Sequence, residues 1–249
     1  MPDTVAFIGL GAMGAPMASS LIGAGFALRA FNRHPERAMP LVERGATACA
    51  SIADAVRGAR FVVSIVSDDD ATRAVMLGDA GVVASAGPGA VIVDSSTNTP
   101  SMAREVAQAA AARGLAYLDA PVTGSVPQAT HRELVFMAGG DAAAFAAARS
   151  LFEGMGRMAL HVGASGAGAT LKLVNNMLSG TMTAALAEAV SVAQAAGVDA
   201  QAAQAILVEG PAGSRLMRSK LPKMLAREFS TQFQLALMDK DLRYFLALA

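Results

Sequence analysis

The chain is poor in the residues that build metal centres and disulfide frameworks. It has a single cysteine, Cys49, and three scattered histidines, His34, His131 and His161. A lone cysteine forms no internal disulfide, which fits a reducing cytoplasm. With so few histidines and one cysteine, no protein-built metal site is expected. Nor is there charge of one sign to spare, because 20 Lys and Arg balance 20 Asp and Glu. No Lys/Arg run marks a polybasic patch, so nucleic acid is not expected as a partner. The N-terminus lacks a charged segment followed by an unbroken apolar run, since Gly9, Gly11 and Gly14 interrupt it, and a signal peptide is not expected. The most apolar later stretch, 164–197, carries Lys172, Asn175, Asn176 and Glu188, which a membrane span would have to bury. It reads as a helix in a protein core, with no membrane partner.

What is present is apolar surface in a regular order. Hydrophobic residues make up 53% of the 249 and charged residues 16%, enough for a sizeable core in one large domain or two ordinary ones. Short β-branched runs at 5–8, 27–31, 61–66, 90–94, 116–119, 134–138 and 158–162 read as strands. Helix-like segments at 13–23, 35–44, 52–57, 71–76, 100–113 and 142–153 separate most of them. Strand and helix in alternation imply right-handed crossovers and a mainly parallel sheet. Near Gly163 the texture changes. From 166 to 196 apolar and small residues recur at helical spacing, predicting one helix of roughly 45 Å, with further helices at 199–209 and 231–248. The expected division is 1–163, α/β, and 164–249, all-helical.

The turn Gly9-Leu10-Gly11-Ala12-Met13-Gly14 follows the first strand and opens the first helix. In that context the three glycines allow a tight turn, close backbone approach to a pyrophosphate, and close helix–strand packing, with the helix N-terminus facing the anion. This predicts a Rossmann-type, doubly wound sheet that binds a dinucleotide. The residue meeting the adenosine ribose lies at the end of the second strand, where an Asp or Glu would favour NAD. Asn32-Arg33-His34 stand there instead. Asparagine removes the charge that repels a 2′-phosphate and Arg33 offers a fork to bind one, so NADP(H) is favoured and NAD(H) stays open. Val66 and Ser67, at the end of the third long strand, are also assigned to the cofactor.

Four blocks together resemble the β-hydroxyacid dehydrogenase family, which includes 3-hydroxyisobutyrate dehydrogenases and the glyoxylate/succinic semialdehyde and tartronate semialdehyde reductases. They are 9–18 (GLGAMGAPMA), 119–125 (DAPVTGS, with Thr123 where serine is more usual), 166–176 (GAGATLKLVNN) and 240–242 (KDL). The resemblance implies hydride transfer between a nicotinamide cofactor and a small carboxylate-bearing 3-hydroxyacid or its semialdehyde. It implies that Lys172 and Asn176 are catalytic, that Thr97 meets the nicotinamide half of the cofactor, and that Lys240 lies over the bound cofactor. Thr123, Gly124 and Ser125 then hold the substrate as a nest of N–H groups and hydroxyls, with Ser96 beside them. Family members continue past the KDL segment with further helices, so residues 164–249, the substrate and oligomerisation part, are expected to be incomplete. A glycine is also usual just before the strand at 134, where this chain has His131-Arg132.

The residues agree with that chemistry. Lys172 lies near the start of a long apolar helix, where desolvation suits an ammonium to acid/base work. Asn176 is four residues on, on the same helix face. Asn175 points about 100° away and reads as a cap or a bridge between helices. Two other readings remain. An imine reductase shares the architecture, but relatives of that type generally lack the lysine. A non-catalytic dinucleotide-binding protein would not need Lys172 and Asn176. The small-residue helix predicts burial against another subunit, as a homodimer or homotetramer.

Overall fold

Nine strands form one sheet in the computed structural model, which describes residues 2–248. They are β1 (Thr4–Ile8), β2 (Ala27–Phe31), β3 (Thr47–Ala48), β4 (Phe61–Ser64), β5 (Val91–Asp94), β6 (Ala116–Asp119), β7 (Val122–Thr123), β8 (Leu134–Gly140) and β9 (Gly156–Gly163). The order β3-β2-β1-β4-β5-β6 is parallel throughout, which is the Rossmann arrangement. β8 then runs antiparallel to both β6 and β7, and β9 pairs parallel with β8.

The helices of this part are α1 (Gly14–Gly23), α2 (Met39–Val42), α3 (Ile52–Val56), α4 (Asp69–Leu77), α5 (Val82–Ser85), α6 (Pro100–Ala111), α7 (Val126–Thr130), α8 (Ala142–Ala147) and α9 (Arg149–Met155). Strand alternation decides which helix packs where. Val5 and Phe7 face one side with Met17 and Leu21 of α1 and Leu151 and Phe152 of α9. Ala6 and Ile8 face the other, against Val56 of α3, Val82 of α5 and Met102 and Val106 of α6. A sheet covered on both faces needs apolar residues at every position, which is why β4 (FVVS) and β5 (VIVD) show no polar alternation.

Some elements differ from the sequence reading. The helix expected at 35–44 is a 3₁₀ turn, Pro35–Ala38, followed by α2, because Pro40 brings no N–H to continue the first segment. The helix expected at 142–153 breaks at Ala148, whose ψ of 5° leaves the helical range. The loop between β6 and β8 holds β7 and α7, where no regular structure was anticipated. The remaining helices are α10 (Ala167–Ala195), α11 (Ala200–Glu209), α12 (Arg215–Leu225) and α13 (Leu235–Leu246). Of these α12 was not anticipated; its start is signalled by Ser214, whose hydroxyl accepts from the Met217 N–H at 3.2 Å.

The chain forms two compact units that meet inside α10, between Leu173 and Val174, ten residues beyond the change of texture at Gly163. The second unit has a small core of Leu186, Val190 and Leu221, with Leu207, Val208 and Met224 against it. Among the described residues no helix is long and apolar enough to cross a membrane, and no group of three His, Cys, Asp or Glu is placed to hold a metal ion.

Candidate active site

The register of the parallel strands puts Phe31, Ile8, Ser64, Asp94 and Asp119 in one row across the sheet. These are the C-terminal residues of β2, β1, β4, β5 and β6, the edge at which open α/β sheets seat ligands. Four of the five first-unit candidate segments leave the sheet from this row: Gly9–Gly14 after β1, Asn32-Arg33 after β2, Val66-Ser67 after β4 and Ser96-Thr97 after β5; the fifth, Thr123–Ser125, starts on β7 itself, paired with β8. Parallel strands all end at the same edge, so the topology alone gathers residues more than 100 positions apart.

The glycine-rich turn is shaped for a pyrophosphate. A Cβ at Gly9 would lie 2.2 Å from the Ile65 carbonyl oxygen, and its φ of +96° suits glycine alone. A Cβ at Gly14 would lie 2.0 Å from the Gly9 oxygen, so α1 packs directly on the turn. Gly11 meets nothing within 4 Å, leaving open space above the backbone. No side chain caps the first turn of α1, where the Ala15 N–H donates to the Gly11 carbonyl at 3.1 Å and Pro16 carries no N–H. These features fit a dinucleotide, with Leu10, Ala12 and Met13 offering backbone only.

Asn32 is bound into this turn. Its Oδ1 accepts from the Leu10 N–H at 2.9 Å, its amide donates to the His34 carbonyl at 3.0 Å, and the Gly9 N–H donates to the Phe31 carbonyl at 3.0 Å. Asn32 therefore fixes the turn to the end of β2, a role its sequence position did not disclose. Arg33 is exposed beside it.

Asp94 is the hub of the next two loops. Oδ1 accepts from the Ser64 hydroxyl at 2.8 Å and the Ser96 N–H at 3.0 Å; Oδ2 accepts from the Asn98 amide at 2.8 Å and the Tyr117 hydroxyl at 3.2 Å. Burial pushes the Asp94 carboxyl above its ordinary value, against the lowering effect of these donors, and raises the Tyr117 hydroxyl well above its own. Ser96 is buried, and its hydroxyl accepts from the Val66 N–H at 2.9 Å, joining the β4 and β5 loops. Asn98 extends the network to Thr72 of α4 at 2.9 Å. Ser67 is exposed and bonds Asp68, whereas Thr97 is partly exposed. A carboxylate closing the otherwise apolar β5 was the available signal for this hub.

Asp119 performs the next task. Its Oδ1 accepts from the Gly166 N–H at 2.8 Å and its Oδ2 from the Ala169 N–H at 2.9 Å. It thus caps α10 from 47 residues away and fixes the helix start at the C-terminal end of β6. The approach is close: a Cβ at Gly168 would lie 2.3 Å from the Asp119 carbonyl oxygen. Burial raises the Asp119 carboxyl while the two N–H groups pull it down. Lys172, one turn after Gly168 in α10, is partly exposed. In the loop after β6, the Ser125 N–H and hydroxyl both donate to the Gln128 amide oxygen, at 2.9 and 2.8 Å. The nest expected from Thr123, Gly124 and Ser125 is therefore already partly satisfied within the chain; Gly124, at φ +124°, remains exposed.

In the second unit Asn176 is buried, and its amide donates to Asp241 Oδ2 at 2.6 Å. The Lys240 ammonium stands 2.9 Å from Asp241 Oδ1 and 4.7 Å from the Tyr244 ring centre. Close in distance, the Lys240–Asp241 contact lacks the alignment of a hydrogen bond, since Oδ1 has no bonded donor. Asn175 donates to Asn176 Oδ1 at 3.3 Å rather than bridging to another helix. Phe233 is exposed.

Two family models cover nearly the whole chain. Residues 4–163 match the NAD binding domain of 6-phosphogluconate dehydrogenase, and residues 166–249 match the NAD-binding domain of NADP-dependent 3-hydroxyisobutyrate dehydrogenase. The chain is 39% identical over 245 residues to an NAD-dependent L-serine dehydrogenase of Pseudomonas aeruginosa, covering 96% of this chain and 82% of that protein. It is 38% identical over 250 residues to a 3-hydroxyisobutyrate dehydrogenase of the same organism, covering 98% and 84%. The solved structure of Mycobacterium tuberculosis 3-hydroxyisobutyrate dehydrogenase with L-serine superposes with a TM-score of 0.91 at 34% identity, over 100% of this chain and 87% of that one. With the glycine cradle, the pinned α10 and these likenesses together, the chain belongs to the β-hydroxyacid dehydrogenase family of NAD(P)-dependent oxidoreductases acting on 3-hydroxyacids.

Proposed function

We propose that the chain reduces a small semialdehyde, or oxidises the matching 3-hydroxyacid, with NADP(H) preferred over NAD(H). The observation that carries the reading is the fixing of α10 by Asp119 at the ligand-bearing edge of the sheet, which sets Lys172 one turn beyond that anchor. When bound, the nicotinamide supplies the hydride chemistry. Lys172 holds the proton at the substrate oxygen, giving it in reduction and taking it in oxidation. Asn176 has one amide hydrogen committed to Asp241 and a second for the substrate oxygen. Thr123 and Gly124 receive the carboxylate, and Ser125 joins them by exchanging its bond to Gln128. The absence of a carboxylate at position 32 and the exposed Arg33 support NADP(H). On this reading residues 1–163 bind the cofactor, 164–249 serve substrate and oligomerisation, Lys240 is assigned to the cofactor, and the protein works in the cytoplasm as a homodimer or homotetramer.

The test is a panel of small 3-hydroxyacids and semialdehydes assayed with NADPH and NADH in parallel, for the wild type and Lys172→Ala. Turnover in the variant is expected to fall by roughly 10²- to 10⁴-fold with cofactor binding retained. Unchanged turnover would remove Lys172 from the mechanism. Turnover of a cyclic imine with none of the hydroxyacids would replace the reaction class.

A further inference from the structure

The loop after β7 is occupied by a side chain of its own. Gly124 leaves the strand at a φ of +124°. Ser125 then directs both its donors, the N–H at 2.9 Å and the hydroxyl at 2.8 Å, to one acceptor, the Gln128 amide oxygen. The backbone that carries Gln128 is pinned on both sides. Its carbonyl accepts from the Glu133 N–H at 2.8 Å, and the next residue, Ala129, is fully buried with its carbonyl bonded to the Ser20 hydroxyl of α1 at 3.0 Å. The Gln128 stem packs on the loop, since a Cβ at Gly124 would lie 3.0 Å from the Gln128 Cβ. The residue is nevertheless only half-buried, which lets its amide swing toward solvent while the backbone stays in place.

Two donors converging on one planar oxygen is also the arrangement that a carboxylate oxygen takes in a nest. An amide oxygen matches it in shape but carries no charge, and hydrogen bonds to an ionised acceptor are roughly twice as strong. An arriving carboxylate therefore displaces Gln128, and the two bonds given up are subtracted from its affinity. Helix capping accounts for only part of the arrangement. In a capping box the side chain three residues on accepts from the serine N–H, a role open to Gln and Glu alike. The second bond, from the Ser125 hydroxyl to the same oxygen, is additional to it.

We propose that Gln128 is a specificity-determining residue, whose amide oxygen competes with the substrate carboxylate for the Ser125 N–H and hydroxyl and so sets how tightly small carboxylates bind. The proposal rests on the reading of Thr123, Gly124 and Ser125 as the place of that carboxylate. The test is calorimetric titration of 3-hydroxypropionate into the full chain saturated with NADPH or NADH, whichever it binds more tightly; a hydroxyacid does not react with the reduced cofactor. Gln128→Ala is expected to bind the probe about three- to tenfold more tightly than the wild type. Gln128→Glu is expected to bind it at least about tenfold more weakly, because a second carboxylate then sits on the same donors. With the oxidised cofactor, KM for the same acid should follow this order, with a smaller change in kcat. Thermal melting checks that Gln128→Ala is folded, and Gln128→Glu keeps the cap. A purely capping role predicts wild-type binding by Gln128→Glu. The proposal is overturned if either folded variant binds the probe as the wild type does, or if none of the three binds it. Binding in the expected order without oxidation of the acid would overturn the proposed reaction alone, and oxidation with equal KM in all three would overturn the role of Gln128 alone.

Discussion

The two units of this chain bury their apolar residues very differently. In the first, both faces of the sheet are covered, and Phe7, Phe61 and Phe136 are fully enclosed. In the second, three residues form the buried core, while Ile206 is 73% exposed, Phe229 78% and Leu235 83%. The composition of the two halves does not announce this contrast. A sheet has two faces that its own crossover helices cover, whereas a long helix such as α10 presents apolar and small residues all round and must find its cover elsewhere. The first unit thus supplies its own stability, and the exposed apolar surface of the second is what supports the proposed oligomer.

The sharpest way to break this comparison is Phe136→Ala. Phe136 is fully buried with its ring centre 5.0 Å from that of Phe152, and the substitution is expected to destabilise the protein by about 3–5 kcal/mol. Denaturant melts report it, and a loss below 1 kcal/mol would contradict a close-packed first unit. Asp119→Ala comes next. It strands the Gly166 and Ala169 N–H groups and is expected to cost about 2 kcal/mol. Hydrogen exchange should then quicken in the first turn of α10, ahead of β1 and β4. Equal acceleration everywhere would mean that Asp119 does not anchor the helix.

A smaller effect concerns Asp94 and pH. Burial raises this carboxyl above 3.8, so the folded chain keeps the proton to higher pH than the unfolded chain does. Its contribution to stability is therefore greatest below 3.8 and is lost as pH rises through the folded-state value. Asp94→Asn removes that dependence, and the stability of the variant relative to wild type should rise from acid toward neutral pH. Denaturant melts across the range measure it; a flat or falling difference would show that the carboxyl is not raised. The smallest expectation is for Phe229→Ala, within about 0.5 kcal/mol for the isolated chain. A loss comparable with that of Phe136→Ala would show that the second unit is covered in solution.

Much of the first unit was legible because short-range rules govern it. β2 and β6 were bounded to the residue, and the glycines at 9 and 14 have the steric reasons that the motif requires, while Gly11 faces open space. What escaped depended on partners distant in the chain. Nothing local to Asp119 marks it as the cap of a helix that begins at Ala167, and nothing near Asn176 names Asp241, 65 residues on, as the holder of its amide. The short β7 and α7 were missed for a related reason: two to five residues are too few for any periodicity to register.

The amino-acid sequence by itself determined the alternation of strands and helices, the cofactor turn and the presence of a lysine and an asparagine one helical turn apart. Those features follow from period, glycine sterics and the pitch of a helix, all of which act over a few residues. Only the tertiary structure decided that Asp94 and Asp119 end neighbouring strands in one row, and that one holds Ser64 of β4 to the loop after β5 while the other fixes α10. Strand register and long-range hydrogen bonds set those positions, and both arise from which surfaces meet, which no local stretch of sequence contains.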